Sequence, residues 1–569
     1  MTGRPRPISG RLRAELARDP AVGAGNWLHA VLLQDRNLDE PLLFLDAPWS
    51  PAQGHPVRSF SLSQLGAEVT RLAAAYHQVG IRPRDPVGVY HPVAVEYLVH
   101  QLALTSIGAI PVLVNRRLPT PVAIAFMQRV GVTGVICDEP ALPAFRSTGQ
   151  PESRTWAGAA DVLRLSSAPP DETLPMRFPY RHHDCDPVLI THSSGTTGFP
   201  KAVPMQHGNF FSALRYRLGL PVPGSLQRVL CALPPSHNSA MAQLMFSLIC
   251  GLPIRMMSSQ EAPAVLTAIE EFRPTMVSGF STTFAALSEH QLEKRDIGSV
   301  TLWWNSGDAA HERHIRILQQ HGSHQDVRAT GRRLIRGSAF TDALGSSEMG
   351  HSLFNHLRKP GERHVPRCLG KPLEFVEAAV LNTAGDQLGP GEVGMLGIKS
   401  PTLTTGYWND SNLTVRSRLA GYWLTGDLVR RDAEGRFYHL DRLSDVIATP
   451  DGPLYSLQAE ELILSRFPQV ADCTIVGRMQ EDGCEQAYAY LQPSSSARGG
   501  LVDGSAITVQ INAVLQGEGL PSISSAIWEE LANLPVGPTG KVKKGELRAR
   551  IPAAPGSAEH SAASDGEPR

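Results

Sequence analysis

The residues best suited to chemistry form one run, His192-Ser193-Ser194-Gly195-Thr196-Thr197-Gly198-Phe199-Pro200-Lys201. Two glycines and four hydroxyl residues between Ser193 and Gly198 make a loop whose backbone N–H groups can turn inward and whose hydroxyls can donate to phosphate oxygens. Lys201 adds a positive point charge at the rim. The run is not the nucleotide loop G-x-x-x-x-G-K-[ST], because only two residues separate Gly195 from Gly198 and Ala202 follows the lysine. A plain Ser/Thr/Gly surface loop has the same composition, so the run acquires meaning only from the elements that hold it and from what stands elsewhere in the chain.

Stepping along the chain, Leu62 to His77 has helical spacing, Pro86 to Tyr90 is a short apolar strand, Val93 to Gly108 is helical and Ile110 to Val114 is again strand-like. Strand-like runs recur at Val130 to Cys137, Val188 to Thr191, Arg228 to Leu233, Ile254 to Met257, Met276 to Gly279 and Thr301 to Asn305, with a helical stretch from Pro263 to Phe272 among them. This alternation predicts a large α/β body with parallel sheets covered by helices, and the phosphate-binding run directly follows one of the strands. Beyond Asp441 the texture changes. Leu457 to Ser465 and Ile507 to Gln516 read as helices, Val470 to Gly477 and Gln486 to Leu491 as strands, which predicts a separate α+β domain with its boundary between Asp441 and Ser444.

With 53 Lys and Arg against 54 Asp and Glu, the chain has no global field that would draw it to nucleic acid or to an anionic membrane. The longest apolar stretch, Leu98 to Val114, is interrupted by His100, Gln101, Thr105 and Ser106 and reads as buried core rather than a membrane span. Seven scattered cysteines with no C-x-x-C pair predict reduced thiols and a cytoplasmic protein. The arginines before residue 20, with prolines among them, read as a solvated basic arm over residues 1–25, and the Ala/Gly/Ser/Pro-rich residues 552–569 as a disordered tail.

Together with Val203 and His207-Gly208-Asn209, the run from Ser193 to Lys201 resembles the phosphate loop of the adenylate-forming (AMP-binding) superfamily, which contains acyl-CoA synthetases, adenylation domains of peptide synthetases and firefly luciferase. Four further segments of that family follow in order, so the resemblance extends from about residue 26 to residue 550. It implies a large, multi-sheet N-terminal domain over 26–441 and a smaller, mobile C-terminal domain over 442–551. It also implies that ATP is held by Ser193, Ser194, Gly195, Thr196, Thr197, Gly198 and Lys201. Phe340-Thr341-Asp342-Ala343-Leu344-Gly345-Ser346-Ser347-Glu348 resembles the segment whose hydroxyl meets the α-phosphate and whose glutamate holds Mg2+. These roles fall on Ser347 and Glu348, with Asp342 and Leu344 beside the nucleotide. Thr425-Gly426-Asp427 resembles the ribose-binding turn, which makes Asp427 the ribose residue, and Arg442 of Asp441-Arg442 a second nucleotide contact. Pro535 to Val542 resembles the segment whose lysine enters the site in the first half-reaction, so Lys541 is the expected catalytic cation.

The implied chemistry is in-line attack of a carboxylate on the α-phosphorus of magnesium ATP, release of pyrophosphate, and transfer of the acyl group from AMP to CoA or a carrier-protein thiol. Pro234-Pro235-Ser236-His237-Asn238, Ser278 to Thr283 and Asn305 to Ala309 resemble the walls of the acyl site, with His237, Ser278, Gly279, Gly307 and Asp308 as its candidate residues. Three positions depart from the pattern: Leu344 stands where an aromatic usually stacks on adenine, Ser444 where the hinge usually carries Asp or Lys, and Ala448-Thr449-Pro450-Asp451-Gly452-Pro453 where thioester-forming members have a lysine and a glycine. Prolines at 450 and 453 stiffen that loop and leave room for an amine acceptor instead of a thiol. A different oxyanion in place of the carboxylate, a luciferase-like oxidation and a silent binder retaining the fold are further readings. The intact motifs speak against the last.

Overall fold

The structure is a computed structural model that describes residues 8–50, 55–149, 154–164, 173–193, 199–307, 309–328, 331–362, 365–481, 483–495, 497, 502–530, 533–537 and 541–551. Its contacts divide it into two units, the first ending at Leu443 and the second carrying Ser444–Gly537 and the residues from Lys541.

Two large sheets form the body of the first unit. One runs in the order Thr155–Ala157, Gly134–Cys137, Pro86–Tyr90, Ile110–Leu113, Pro187–His192, Ala202–Gln206. Its inner strands pair in parallel, and Val87, Val89, Val112 and Ile190 are buried, as expected of strands covered on both faces. Leu62–Gln78 starts at a capping box in which Ser61 and Gln64 satisfy each other's backbone N–H groups. Ala94–Ser106 is buried along its whole length, the polar Glu96, His100, Gln101, Thr105 and Ser106 included. Among the described residues no helix is long and apolar enough to cross a membrane. The expected strand from Val130 to Cys137 is two things: a helix, Thr120–Val130, stopped by left-handed Gly131, and then the strand Gly134–Cys137.

The second sheet has the order Ser352–Arg358, Ala339–Gly345, Leu302–Ser306, Met276–Gly279, Val229–Cys231, Ile254–Met256, Pro41–Trp49, Val57–Ser61. Parallel register places Gly279, Asn305 and Asp342 in one cross-strand row, which meets the carboxyl ends of the first two strands and the middle of Ala339–Gly345. A third, antiparallel sheet joins Cys368–Gly370, Phe437–Arg442, Tyr422–Arg431, Val393–Lys399 and Glu377–Leu381. In the second unit, helices Ser456–Arg466 and Gly504–Gly517 cover a three-stranded sheet of Val470–Met479, Glu485–Pro493 and Ser525–Trp528, with Ile463, Ile475, Ala489 and Ile511 in its core.

The N-terminal residues correct the expectation of a solvated arm. Gly10–Arg18 is a helix capped by Ser9, with Leu16 buried and Arg13 donating to the Leu220 carbonyl. Arg215 in turn donates to the carbonyls of Ala17, Asp19 and Val22. Pro5 and Pro7 precede the helix and so do not interrupt it. The expected tail, residues 552–569, lies outside the described residues.

Candidate active site

The phosphate-binding run joins two antiparallel strands, Pro187–His192 and Ala202–Gln206, with His192 opposite Ala202 and Ser193 N–H donating to the Lys201 carbonyl at 3.0 Å. Ser194, Gly195, Thr196, Thr197 and Gly198 lie outside the described residues. Among the described residues Ser193 Oγ is buried without a hydrogen-bond partner, which fits a hydroxyl whose acceptor is a phosphate oxygen. His192 is fixed by its Nε2, which accepts from Asn115 N–H at 3.1 Å, and burial holds its pKa below the ordinary imidazole range.

Several ties bring the other motif residues to this loop. Thr191 donates to Asn238 Oδ1 at 3.0 Å, and Asn238 Nδ2 donates to the Ser347 carbonyl at 2.9 Å, so strand, helix Asn238–Cys250 and the 345–349 turn form one hydrogen-bonded chain. Ser347 Oγ lies 3.4 Å from the His192 carbonyl. Gly345 permits the turn, because a Cβ there would stand 2.8 Å from the His351 carbonyl oxygen. Glu348 Oε1 accepts from Tyr407 OH at 2.9 Å, while Thr404 N–H donates to the Glu348 carbonyl. Lys201 Nζ lies 5.4 Å from the centroid of the Tyr407 ring. Burial and the Glu348 charge both push the Tyr407 phenol up, so it remains a donor. Among the described residues no three His, Cys, Asp or Glu side chains cluster as a metal cage. A single carboxylate such as Glu348 completed by phosphate oxygens is the arrangement Mg2+ favours. Asp342 is buried and accepts from Asn305 Nδ2 at 2.7 Å, and Leu344 packs against the Met349, Leu353 and Phe354 cluster.

Asp427 and Arg442 are direct cross-strand partners. Arg442 Nη1 is 3.2 Å from Asp427 Oδ1 and donates to the Thr425 carbonyl at 2.9 Å. His439 Nε2 lies 3.3 Å from Asp427 Oδ1, without the alignment of a hydrogen bond. Burial alone would raise the Asp427 carboxyl, but Arg442 and His439 outweigh it and hold it well below the usual carboxylate range.

A cavity of about 350 Å³, counting its open mouth, is lined by Arg217, Leu233, Ser239, Ala242, Gln243, Ser278, Trp304, Ser306, His351 and Ser352. Ser278 is in its wall. His237 is not: it caps helix Asn238–Cys250, accepting from Ser239 N–H at 3.2 Å, and meets Phe280 edge-on at 5.1 Å. Gly279 packs on Phe284, and Gly307, at φ +88°, leaves room for the Phe280 ring, which a Cβ would approach to 2.7 Å. Asp308 lies outside the described residues. Arg217, Gln243, Trp304, His351 and Tyr407 escaped the reading of the sequence.

In the second unit, Lys541 follows the 538–540 segment, which lies outside the described residues; its carbonyl accepts from Gly537 N–H at 2.7 Å, and Val536 bridges Val542. Lys543 pairs with Glu546 at 2.7 Å, and Lys544 donates to Ser456 Oγ at 2.7 Å, so those two lysines have structural partners of their own. Ser444 is exposed at the first position of this unit, with its Oγ 3.5 Å from Asp445 Oδ1. Ala448 to Pro453 is a hairpin, Ile447–Thr449 against Gly452–Leu454, and Ala448 N–H donates to Glu485.

Residues 46–408 match the family of AMP-binding enzymes. The chain is 42% identical over 561 residues to a 3-aminoavenalumate diazotase of a Streptomyces species, covering 96% of this chain and 99% of the relative. It is 26% identical over 517 residues to a feruloyl-CoA synthase of an Amycolatopsis species, covering 89% and 96%. Among solved structures, the anthranilate CoA ligase AuaEII in complex with anthranoyl-AMP has the same fold, with a TM-score of 0.78, 20% identity and coverage of 94% of this chain and 98% of that one. With these relatives, and with the carboxylate turn and the Asp427–Arg442 pair on the page, the chain belongs to the AMP-binding enzyme family, as an ATP-dependent, AMP-forming ligase of the acyl-CoA synthetase type.

Proposed function

We propose that this enzyme spends its adenylation step on nitrite and passes the nitrogen to an aromatic amine, making a diazonium ion. The observation that carries this is the 42% identity to a diazotase from end to end, against 26% for the feruloyl-CoA synthase. The shared nucleotide machinery does not distinguish the two; the oxyanion and the acceptor do. A diazonium requires a second nitrogen at the oxidation level of nitrite, and nitrite resembles a carboxylate in charge, in its bent shape and in its two equivalent oxygens. Only on an aromatic ring does a diazonium persist as a product.

A nitrite oxygen attacks the α-phosphorus in line, the α–β bridging P–O bond breaks, and pyrophosphate leaves, forming O=N–O–AMP. The amine nitrogen attacks the nitroso nitrogen, the N–O bond to AMP breaks and AMP departs with that electron pair. Proton loss and tautomerisation give Ar–N=N–OH, from which water leaves after protonation to give the diazonium. No oxidant or reductant is needed. In this reading Ser193, Ser194, Gly195, Thr196, Thr197, Gly198 and Lys201 hold the β- and γ-phosphates, Ser347 meets the α-phosphate, and Asp427 and Arg442 hold the ribose. Asp342 and Leu344 flank the base. Glu348, steadied by Tyr407, would hold Mg2+, which supplies charge neutralisation on the phosphates. Lys541 carries positive charge to the first half-reaction, and Ser444 serves as the hinge between a large domain, 26–441, and a mobile one, 442–551. The seven unpaired thiols support a cytoplasmic location.

The feruloyl-CoA synthase likeness favours a second reading, in which an aromatic carboxylate is adenylated and passed to CoA. Pyrophosphate release separates them. With magnesium ATP, the proposed reaction gives release that depends on nitrite, is stimulated by an aromatic amine, and yields a product that couples to a naphthol as a dye. Release driven by aromatic carboxylates and stimulated by CoA, with nitrite silent, would select the second reading.

A further inference from the structure

Arg217 brings a positive charge into the cavity, and no negative group among the described residues balances it. It stands in the last turn of helix His207–Leu218, its guanidinium 5.2 Å from the centroid of the Trp304 ring. Among the described residues no ion pair and no hydrogen bond reaches that guanidinium, and none of those lining the cavity is Asp or Glu. Burial lowers the Arg217 pKa to about 10, which leaves it charged at neutral pH. Leu233, Ala242 and Trp304 give the wall apolar stretches, and a cation held among them is costly unless a ligand supplies the counter-charge.

The polar groups around it are donors. Ser278 Oγ donates to the Leu230 carbonyl at 3.3 Å. Ser239 Oγ lies 3.2 Å from Ser306 Oγ, so one hydroxyl of that pair donates to the other and the second keeps its proton for a ligand. Ser352 Oγ has no hydrogen-bond partner among the described residues. His351 donates through Nε2 to the Phe210 carbonyl at 2.7 Å, and burial together with Arg217 lowers its pKa to about 4, so it adds no second charge. A guanidinium fork with hydroxyls beside it suits one anion with two oxygens. The cavity is also tied to the turn that carries Ser347: Asn238, next to Ser239 in the chain, donates to the Ser347 carbonyl at 2.9 Å, and Ser352 pairs across the sheet with Gly345. We infer that this cavity takes a two-oxygen anion of the substrates and that Arg217 is the residue that recognises it. Nitrite and the carboxylate of an aromatic acid share that chemistry, so Arg217 serves either the group that attacks the phosphorus or an acid group carried by the amine. This deepens the proposed function and rests on it for the choice of ligands. A neutral aromatic amine gains no charge pair from Arg217, which makes it a specificity residue.

Calorimetric binding of nitrite, 3-aminobenzoate and aniline, each with a non-hydrolysable ATP analogue present, tests this on the wild type and on Arg217→Gln and Arg217→Lys. The expected result is that at least one of the two anions binds the wild type, that Arg217→Gln binds it about 30-fold or more weakly, and that Arg217→Lys recovers part of the loss. Aniline and the ATP analogue should bind all three proteins alike. A loss confined to nitrite identifies the attacking group as the occupant, and a loss confined to 3-aminobenzoate identifies a carboxylate of the amine substrate; either outcome supports the inference. It is overturned if neither anion binds the wild type, if both bind Arg217→Gln as tightly as the wild type, or if aniline or the ATP analogue is weakened as much as the anions. Diazonium formation by the wild type is read separately: its absence, with Arg217-dependent anion binding intact, would count against the proposed reaction and leave the anion site standing.

Discussion

Asp427 stays ionised at any pH where the enzyme would work, because Arg442 and His439 more than offset its burial. Its folded pKa lies below the ordinary 3.8, so the stability it contributes is complete above that value and is lost only as pH falls through the lower folded one. ATP affinity should therefore be flat from pH 8 to about 5 as far as this group is concerned. Asp427→Ala should raise the KM for ATP about 10- to 100-fold and leave that for the amine unchanged; steady-state kinetics with each substrate varied would show it, and equal effects would remove its ribose role. Lys541→Ala should slow pyrophosphate release by about 10² to 10³, the cost of one preorganised charge contact, and full retention in a single-turnover assay would take Lys541 out of catalysis. Candidates of this kind were visible in the sequence because their motifs are contiguous. Arg217 was not: in the chain it is a basic residue in a helix's last turn, where cations are common for reasons of the dipole alone, and only packing against Trp304 gives it a cavity to serve.

At the scale of elements, the parallel strands were legible for a physical reason. Strands covered on both faces read as unbroken apolar runs, and Pro86–Tyr90 and Met276–Gly279 were readable to the residue. The run from Val130 to Cys137 was misread because the end of a helix and the start of a strand are both apolar, with only Gly131 to part them. The N-terminal helix was hidden by its arginines: Arg11 pairs with Glu15 one turn on, but Arg13 donates to the distant Leu220 carbonyl, a partner with no signature in the chain. Gly307 is an element-scale constraint: Gly307→Ala needs a strained φ of +88° and drives a methyl group into Phe280. It should cost about 1 to 3 kcal/mol, seen as a lower midpoint in urea, with reduced activity because strand Leu302–Ser306 leads directly into the cavity wall.

Over the whole molecule, stability should fall in acid before any carboxylate is involved. Burial lowers His29, His207 and His351 from 6.5 to about 4. Between those values the unfolded chain binds protons that the folded one refuses, so the melting temperature should be level above pH 6.5 and decline steadily toward pH 4. Removing residues 552–569 should leave activity intact, whereas a cut before Ile551 should destabilise the second unit, because Ile551 is buried with Leu534 and Leu547 and its carbonyl accepts from Arg478. If the proposed reaction runs, with its nitrosating anhydride, the cysteines have a further consequence. Burial raises Cys137 and Cys250 to about 12 and Cys231 to about 11, and pushes Cys473 well above the ordinary thiol range. Such thiols carry almost no thiolate, the form an electrophilic nitrogen seeks. Self-inflicted S-nitrosation during turnover should thus begin at exposed Cys185, and the core of the molecule should survive its own chemistry unmarked.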